Sequence, residues 1–166
     1  MRVLAGRIRI VRPAPAAFIT FKPMPIWTAP FTLDDLHARC VDTAIEHLGI
    51  EFLEIGEDFL RGRVPVDRRT HQPYGILHGG VSVVLAETLG SVAAACCCAA
   101  GHRVVGLDIN ANHLRSVSTG WVTGIAKPVH RGRSTQVWQI DMQDDAGRMT
   151  CVSRITMAVL APAATS

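Results

Sequence analysis

The spacing of apolar residues predicts a short helix and a hairpin in the first part of the chain. Apolar or small residues recur at three- and four-residue steps between Thr32, which can cap a helix, and Gly49, which can end one. This pattern indicates an amphipathic helix over residues 32–48. Residues 51–66 are typical of two short strands, and the polar residues 67–75 indicate a loop.

A much longer helical pattern follows from residue 76 to residue 100. One apolar stripe is formed by Leu85, Leu89, Val92 and Cys96. The other faces of the helix carry mainly the small residues glycine and alanine. A helix that is apolar or small nearly all round is buried, and small residues let a sheet approach it closely. We therefore predict a long central helix under a sheet.

After Gly101 the pattern changes to the two-residue alternation of strands. Apolar positions alternate around residues 105–109 and 138–142, and further strand-like segments cover residues 120–127 and 148–160. Consecutive strands joined by short turns favour an antiparallel sheet. The predicted fold class is α+β, with one sheet curled around one helix in a single domain.

Composition excludes several classes of protein. The 166 residues are 48% hydrophobic and 19% charged, which is typical of a globular domain. The net charge of +3 comes from residues 1–25, which carry five basic side chains and no acid, and this leaves 12 basic against 14 acidic side chains elsewhere. A general basic surface for nucleic acid is not supported. A transmembrane helix is not expected either, since no run of about 18 uninterrupted apolar residues occurs.

Residues 1–25 are expected to be a disordered leader outside the domain. They hold four of the nine prolines, and Arg12, Pro13 and Pro15 interrupt any apolar stretch that a secretory signal would need. A transit-like arm is an alternative on the arginines alone. Met24 stands just before the first patterned segment, so an upstream choice of start is another interpretation.

The five cysteines do not indicate a metal site. Cys96, Cys97 and Cys98 are consecutive, and on a helix they would point about 100° apart, so they cannot converge on one ion. The seven histidines show no two-histidine helical spacing with a carboxylate. We expect reduced cysteines in the core of a cytoplasmic protein, with no metal.

The start of the long helix carries the candidate chemistry. Gly79 and Gly80 would expose backbone N–H groups that lack partners within the helix, and with the helix dipole these groups favour a developing negative charge. A thioester carbonyl that becomes an oxyanion needs such donors. Glu87 then lies in an otherwise apolar helix, where a carboxylate is costly unless it has partners or a task.

Helix geometry adds a constraint on how these groups can act. Gly79 and Glu87 are eight residues apart, or about 12 Å along a helix axis. Groups that act on one carbonyl must each lie within about 3 Å of it. If both act on one substrate, two chains must contribute, so the spacing predicts a homodimer with paired sites.

The motif His78-Gly79-Gly80 followed by Glu87, with residues 106–116 downstream, resembles the hot-dog thioesterases of the phenylacetate type. Within that group it is most similar to the bacterial thioesterases of menaquinone synthesis that act on 1,4-dihydroxy-2-naphthoyl-CoA. The resemblance implies a hot-dog domain over residues 26–162 that hydrolyses an acyl-CoA, with aromatic hydroxylated acyl groups favoured. It implies no cofactor, since coenzyme A is part of the substrate, and it suggests a tetramer beyond the dimer.

The resemblance also implies roles for the residues of the helix start. Glu87 would attack the thioester carbonyl or activate water, the Gly79 N–H would polarise the carbonyl oxygen, and Ser91 would lie near the nucleophilic water. Gln72 and His78 would orient the thioester. Each residue also has a structural alternative. Gly79 could serve only to let the helix start beneath the sheet, Glu87 could be a structural carboxylate in a dimer interface, and Ser91 could be a small packing residue. His78 could only cap the helix, and Gln72 could only form hydrogen bonds within the loop.

A second, cationic group of residues suits the phosphates of coenzyme A. Arginines and backbone N–H groups of a glycine turn bind phosphates well. The resemblance assigns nucleotide binding to Gly106, His113, Leu114, Arg115, Ser116, His130, Arg131, Gly132, Arg133, Ser134 and Thr135. The alternative is that these are ordinary solvated charges of two hairpins.

Two other functions remain open on the sequence. A hydratase or dehydratase of acyl thioesters would pair His78, as a base, with a carboxylate. A dimeric acyl-CoA-binding protein without catalysis is the other alternative, although a binder has no need for a costly carboxylate beside the thioester.

Overall fold

The computed structural model describes residues 25–162, which form two short helices, one long helix and one six-stranded sheet. In chain order the elements are α1 (Leu33–Ala38), α2 (Ala44–Leu48), β1 (Glu51–Ile55), β2 (Leu60–Pro65), α3 (Gly79–Cys96), β3 (Arg103–His113), β4 (Trp121–Arg131), β5 (Thr135–Asp144) and β6 (Met149–Leu160). All neighbouring strands are antiparallel, in the order β1-β2-β4-β5-β6-β3. The predicted α+β architecture is confirmed.

The core lies between α3 and the inner face of the sheet. Trp138, Ile140 and Met142 alternate along β5 and are fully buried against the helix. Small helix residues allow the close approach: a Cβ on Gly90 would stand 2.5 Å from Cγ2 of Ile155 on β6. The helix faces with small side chains, as predicted from the sequence, therefore pack closely against the sheet.

The helix predicted over residues 32–48 is in fact two helices. Thr32 caps α1 in a capping box with Asp35, as its position suggested. The helix then ends, because the Thr43 hydroxyl donates to the carbonyl of Cys40 at 2.6 Å and also accepts from the Ile45 N–H to cap α2. A threonine that bonds the neighbouring backbone in this way competes with helix continuation.

The long helix is shorter than residues 76–100. It begins at Gly79, because the Leu77 N–H donates to the Val117 carbonyl across the molecule and so keeps the preceding residues in a loop. It ends at Cys96. Within residues 25–162, α3 is the one helix whose length and composition would allow it to cross a membrane, and a core helix packed on a sheet meets the same criteria.

Consecutive strands pair as expected in the predicted hairpin β1–β2 and along β4, β5 and β6, but β3 pairs with neither β2 nor β4. β3 pairs with β6 instead, and β2 pairs with β4. The cause is α3, which crosses the whole inner face of the sheet between β2 and β3, so that β3 joins the far edge. β4 is also longer than predicted and continues to Arg131.

The segment that precedes α1 closes the far end of α3. The Thr28 hydroxyl donates to the carbonyls of Cys96 and Cys98 at 2.9 and 2.6 Å, and its N–H donates to Cys96. The indole N–H of Trp27 donates to the Gly56 carbonyl at 2.7 Å. The Thr28 bonds satisfy carbonyls that a helix end otherwise leaves free, while the Trp27 bond attaches the segment to the turn between β1 and β2. Residues 1–24 of the predicted leader lie outside the described residues.

Candidate active site

The first turn of α3 leaves one backbone donor available. The Val81 and Ser82 N–H groups donate to the carbonyl of His78, and the Gly80 N–H donates to the His78 ring. Among residues 25–162, no acceptor contacts the Gly79 N–H. A free N–H at the positive end of an 18-residue helix is suited to a developing oxyanion.

His78 caps the helix with its own ring. Its Nδ1 accepts from the Gly80 N–H at 2.9 Å, which makes His78 the N-cap residue of α3. Because Nδ1 acts as an acceptor, the proton of the neutral ring lies on Nε2. The capping alternative is therefore observed, and it leaves Nε2–H free to donate to a ligand.

Gln72 holds the loop that leads into the helix. Its Oε1 accepts from the Tyr74 N–H at 2.7 Å, and its backbone bonds both Gly75 and Ile76. The loop-bonding alternative for Gln72 is thus also observed. Since the carbonyl oxygen of the side chain is engaged, the amide NH₂ is the group that remains for a substrate.

A cavity of about 380 Å³ opens at the helix start. It is lined by Gln72, Ile76, Leu77, Gly79, Ser82, His113, Leu114, Arg115, Ser116, Val117 and Thr150. The cavity joins Gln72, one of the two predicted thioester-orienting residues, and Gly79 to the first cationic segment, residues 113–116. Sequence reasoning missed Ser82 and Thr150: Ser82 lies one helical turn after Gly79, which is a usable signal, while nothing near Thr150 in the sequence points to the cavity.

Glu87 is half-buried rather than enclosed. The Ser91 hydroxyl donates to its Oε1 at 2.9 Å, and the backbone of Gly106 on β3 lies against the carboxylate. Ser91 therefore orients the carboxylate within the same chain, one helical turn away. Gly106 belongs to this contact as well, at a distance from the cationic segments with which it was grouped on the sequence.

One face of α3 is open in the single chain. The predicted helix buried all round is wrong here, because a stripe of partly exposed residues runs along it: Val83, Val84, Glu87, Ser91 and Val92. An open apolar stripe with a carboxylate in its middle is costly in water and is typical of a surface that another chain covers.

The helix keeps Gly79 and Glu87 apart, as the spacing predicted. Both lie in α3, which is regular from Gly79 to Cys96, so about 12 Å of helix axis separates them. The Gly79 N–H and the Glu87 carboxylate of one chain therefore cannot contact the same carbonyl carbon and oxygen.

The first cationic segment lies beside the helix start. A Cβ on Gly79 would stand 3.0 Å from Nε2 of His113, so the imidazole packs against the glycine at the end of β3. Leu114 and Arg115 continue the strand direction, and both N–H groups donate to the carbonyl of Thr150.

The second cationic segment, residues 130–135, lies at the opposite end of α3. It forms the β4–β5 turn, and next to it the Gln136 amide donates to the carbonyl of Ala94 in the last turns of the helix. Arg131 donates to the Ile26 carbonyl at 3.1 Å, so it also anchors the segment before α1. About 27 Å of helix separates the two cationic segments, so within one chain they cannot hold the same nucleotide.

The cysteines have no catalytic environment. Burial raises the pKa of the Cys96 thiol to about 11 and also raises the pKa of Cys97 and Cys98 above the usual range. A thiol with a raised pKa is a poor nucleophile at neutral pH. Within residues 25–162, no group of three or more histidine, cysteine or acidic side chains is placed to hold a metal ion.

Comparison with known proteins agrees with this geometry. The family model for the thioesterase superfamily matches residues 74–151, which include α3 and the strands around it. The proofreading thioesterase EntH of Cronobacter turicensis is 50% identical over 81% of this chain and 98% of its own length.

The chain belongs to the thioesterase superfamily.

Other members show the same relationship. The 1,4-dihydroxy-2-naphthoyl-CoA hydrolase of Escherichia coli K12 is 50% identical over 81% of this chain and 99% of its own length. A thioesterase from Haemophilus influenzae superposes with a TM-score of 0.81 at 52% identity, over 82% of this chain and 95% of that one. The hot-dog fold and the thioesterase activity predicted from the motif are confirmed.

Proposed function

We propose that this thioesterase hydrolyses an aromatic acyl-CoA to the free acid and coenzyme A in a site shared by two copies of the chain. The observation that carries the proposal is the separation of the free Gly79 N–H from the Glu87 carboxylate on one rigid helix. A second copy that lays its α3 along the open stripe would bring the two groups together.

The reaction follows from the chemistry of these groups. The Gly79 N–H, with Nε2–H of His78 and the Gln72 amide as further candidates, would stabilise the oxyanion of the thioester carbonyl. Glu87 of the second copy would then either attack the carbonyl carbon or take a proton from an attacking water. In both routes the C–S bond breaks, and the thiolate of coenzyme A leaves and gains a proton.

The choice of an aromatic acyl group rests on the relatives. One of them is named for 1,4-dihydroxy-2-naphthoyl-CoA, and it shares half of its residues with this chain. Hydroxyaryl and hydroxynaphthoyl thioesters, and with them a step in menaquinone synthesis, are therefore the substrates that we propose first. The coenzyme A thioester is its own activated group, so the reaction as proposed needs no cofactor. The five unpaired cysteines are typical of a reducing compartment, and we propose a cytoplasmic location.

Release of free thiol from a panel of aryl- and alkyl-CoA thioesters tests the activity. We expect the highest kcat/KM for hydroxyaryl substrates, and a Glu87→Gln variant that loses at least about a thousandfold in kcat while it still binds coenzyme A. A hydratase would consume an unsaturated acyl-CoA without release of thiol, and a binding protein would show the same rate with and without Glu87.

Mixed dimers test the shared site. Gly79→Pro removes the N–H but suits the first position of a helix, and His78 already has the extended backbone (φ −67°, ψ 131°) that a following proline requires. Gly79→Ala is the matched control, because it places a Cβ against His113 and keeps the N–H. We expect Gly79→Pro and Glu87→Gln each to be inactive as homodimers.

A heterodimer of the two inactive chains, purified through two different tags, then contains one intact site. We expect it to recover about half of the wild-type activity, because one of the two symmetric sites receives both functional groups. A heterodimer as inactive as its parents would show that both groups act within one chain, or that one of them does not act at all.

A further inference from the structure

A second cavity, of about 570 Å³, lies at the opposite end of α3 from Gly79. It lies between the segment before α1 and the last turn of α3. Its lining includes Pro30 and Phe31, Arg39 at the end of α1, and small residues from the range 95–100. The residues assigned to the reaction lie outside this lining. A concave, largely apolar site with a few polar groups is suited to a small organic group.

The cavity continues the face of α3 that carries the carboxylate. Glu87, Ser91 and Ala95 follow one another at four-residue steps, so they form one row along the helix. Ser91 donates to Glu87, and Ala95, the next member of the row, already lines the cavity. Eight residues, or about 12 Å of helix axis, separate Glu87 from Ala95. The row and the cavity belong to one chain, so this relationship does not depend on how two copies are arranged.

The chemistry of the lining indicates which part of a thioester enters the cavity. Apolar and small side chains predominate, and among the described residues that line it one is an arginine and none is acidic. The diphosphate and ribose phosphate of coenzyme A require several cationic groups, so this lining suits the acyl group instead. A single benzoyl ring at Glu87 is too short to reach Ala95. Two aromatic rings in line bring their far end to the cavity.

Arg39 gives the cavity a positive charge that no acid of the chain takes up. It is exposed at the end of α1, and among residues 25–162 its guanidinium makes no ion pair. The nearest acid in the sequence, Asp35, accepts instead from the N–H and the hydroxyl of Thr32 in the capping box. A guanidinium without an anionic partner beside an apolar cavity favours a ligand that ends in a carboxylate.

Two other features of the cavity favour an anion. The carbonyls at the end of α3 would repel a negative charge, but Thr28 donates to two of them, those of Cys96 and Cys98. His102 also lines the cavity, and its Nδ1 is buried without a hydrogen-bond partner among residues 25–162. Buried nitrogens nearly always have a partner, because leaving one without costs stability. A carboxylate oxygen that accepts from this ring, after the ring turns toward the cavity, would supply the partner.

We propose that this cavity holds the far end of an extended acyl group, and that Arg39 selects acyl groups that end there in a carboxylate. The inference rests on the proposed function, because it places the thioester carbon at Glu87. It extends the proposed substrates to thioesters of extended aromatic dicarboxylic acids, in which coenzyme A is attached to one carboxyl group and Arg39 binds the other. Arg39 lies far from the reacting carbon, so it determines specificity and does not act in the hydrolysis itself.

Three coenzyme A thioesters of graded length and charge test the proposal. Benzoyl-CoA does not reach the cavity, biphenyl-4-carbonyl-CoA reaches it without a charge, and 4′-carboxybiphenyl-4-carbonyl-CoA carries a carboxylate to Arg39. We expect the wild type to hydrolyse the carboxylate-bearing thioester with a kcat/KM about tenfold above that of the neutral biphenyl thioester, which is the effect of one charge-assisted hydrogen bond. Equal values for the two biphenyl thioesters would overturn the proposal.

Substitutions of Arg39 test whether the guanidinium causes the preference. Arg39→Gln should remove the preference through a higher KM for the carboxylate-bearing thioester, with little change in kcat, and Arg39→Lys should retain most of it because the charge stays. Arg61→Gln is the matched control: it removes an arginine on β2 that pairs with Glu54 at 2.7 Å, and it should keep the full preference. If Arg39→Gln lowers kcat/KM for benzoyl-CoA by the same factor, the effect is structural and the assignment of Arg39 is wrong.

A substitution in the row along α3 tests the path of the acyl group. Ala95→Leu places a larger side chain between Glu87 and the cavity, and leucine is a good helix former, so the helix should persist. We expect kcat/KM for both biphenyl thioesters to fall at least about tenfold, while that for benzoyl-CoA stays within about threefold. Unchanged hydrolysis of the biphenyl thioesters in Ala95→Leu would show that the acyl group does not enter this cavity.

Calorimetry with biphenyl-4,4′-dicarboxylate gives a reading that does not depend on turnover. We expect its Kd to be about tenfold weaker in Arg39→Gln than in the wild type, and unchanged in Arg61→Gln. A wild type that hydrolyses benzoyl-CoA, but shows neither the substrate preference nor this difference in Kd, would overturn the proposal and leave the proposed hydrolysis intact. A wild type that releases no thiol from any of the three thioesters would refute the proposed function, and the Kd values would still decide whether Arg39 binds the carboxylate.

Discussion

The carboxylate of Glu87 lies directly against the backbone of Gly106, so that a Cβ at residue 106 would stand 3.1 Å from Oε1. On the other side the same oxygen accepts from Ser91. The position of the carboxylate is thus fixed between the helix that carries it and the strand that carries the free edge of the sheet.

Gly106→Ala should therefore act on the rate more than on the fold. The added methyl meets the end of a flexible side chain, which can turn aside, so we expect the midpoint of thermal unfolding to change by only a few degrees. A displacement of about 1 Å at a reacting group costs up to about a hundredfold in rate, so we expect kcat to fall ten- to a hundredfold. Asp108→Ala, which faces away from Glu87 on the same strand, should keep its kcat within about twofold. A wild-type kcat in Gly106→Ala would show that the contact does not position the carboxylate.

The two uses of the His78 ring can be separated by two substitutions. His78→Ala removes the cap from α3 and should lower the free energy of unfolding by about 1 kcal/mol. His78→Asn keeps a capping side chain and should retain most of that stability, but it lacks the Nε2–H donor. If the ring donates to the thioester, kcat should fall about a hundredfold in both variants. Urea unfolding and thiol release on the same samples distinguish the two roles. Normal turnover in His78→Asn would show that the ring caps the helix and takes no part in catalysis.

The turn between β5 and β6 should make stability depend on pH in the acid range. The Arg148 side chain and backbone N–H, and the Ala146 N–H, donate to Asp144 and hold the pKa of that carboxyl below its usual range. A lowered pKa in the folded state adds stability above the unfolded value near pH 4, and this contribution is lost as the pH falls through the folded value. Asp144→Asn should therefore unfold at lower urea than wild type at pH 7, and the gap should narrow at pH 3. If the urea midpoints of the wild type and Asp144→Asn differ by the same amount at pH 7 and pH 3, the charge of Asp144 is not the cause of the difference.

The thiol of Cys96 should be slow to alkylate in the folded protein. A pKa raised to about 11 leaves roughly a hundredth of the thiolate that an ordinary thiol with a pKa near 9 has at pH 8. We expect iodoacetamide to modify Cys96 about a hundredfold more slowly in the native protein than in urea, as measured by mass spectrometry of peptides. Equal rates in both states would show that the end of α3 opens readily and that Thr28 does not hold it closed.

Local patterns predicted what depends on neighbouring residues in the chain. The cap at Thr32 and the strand alternation of β5 follow from short-range rules, and the structure confirms both. The same rules predicted the long helix, although they placed its start at residue 76 rather than at Gly79. The distance between Gly79 and Glu87 follows from helix geometry alone, which is why the shared site could be inferred before any fold was known.

Contacts between distant parts of the chain could not be predicted in this way. The position of β3 at the far edge depends on where α3 crosses the sheet, and the opposite placement of residues 113–116 and 130–135 follows from that. Arg131 looked like a phosphate ligand, but its bond to Ile26 joins residues 105 positions apart. The open side of α3 was likewise invisible, because glycine, alanine and valine look the same on a buried face and on one that a second copy covers.

The open stripe of α3 would make activity depend on protein concentration if two copies share the site as proposed. In that dimer Val83, Val84 and Val92 would lose their cover whenever the copies separate, and each separated copy would also lose half of its site. By mass action, dilution should then lower the specific activity and the unfolding temperature together. The enzyme would be most active where it is abundant, and its output would rise more steeply than in proportion to its own expression.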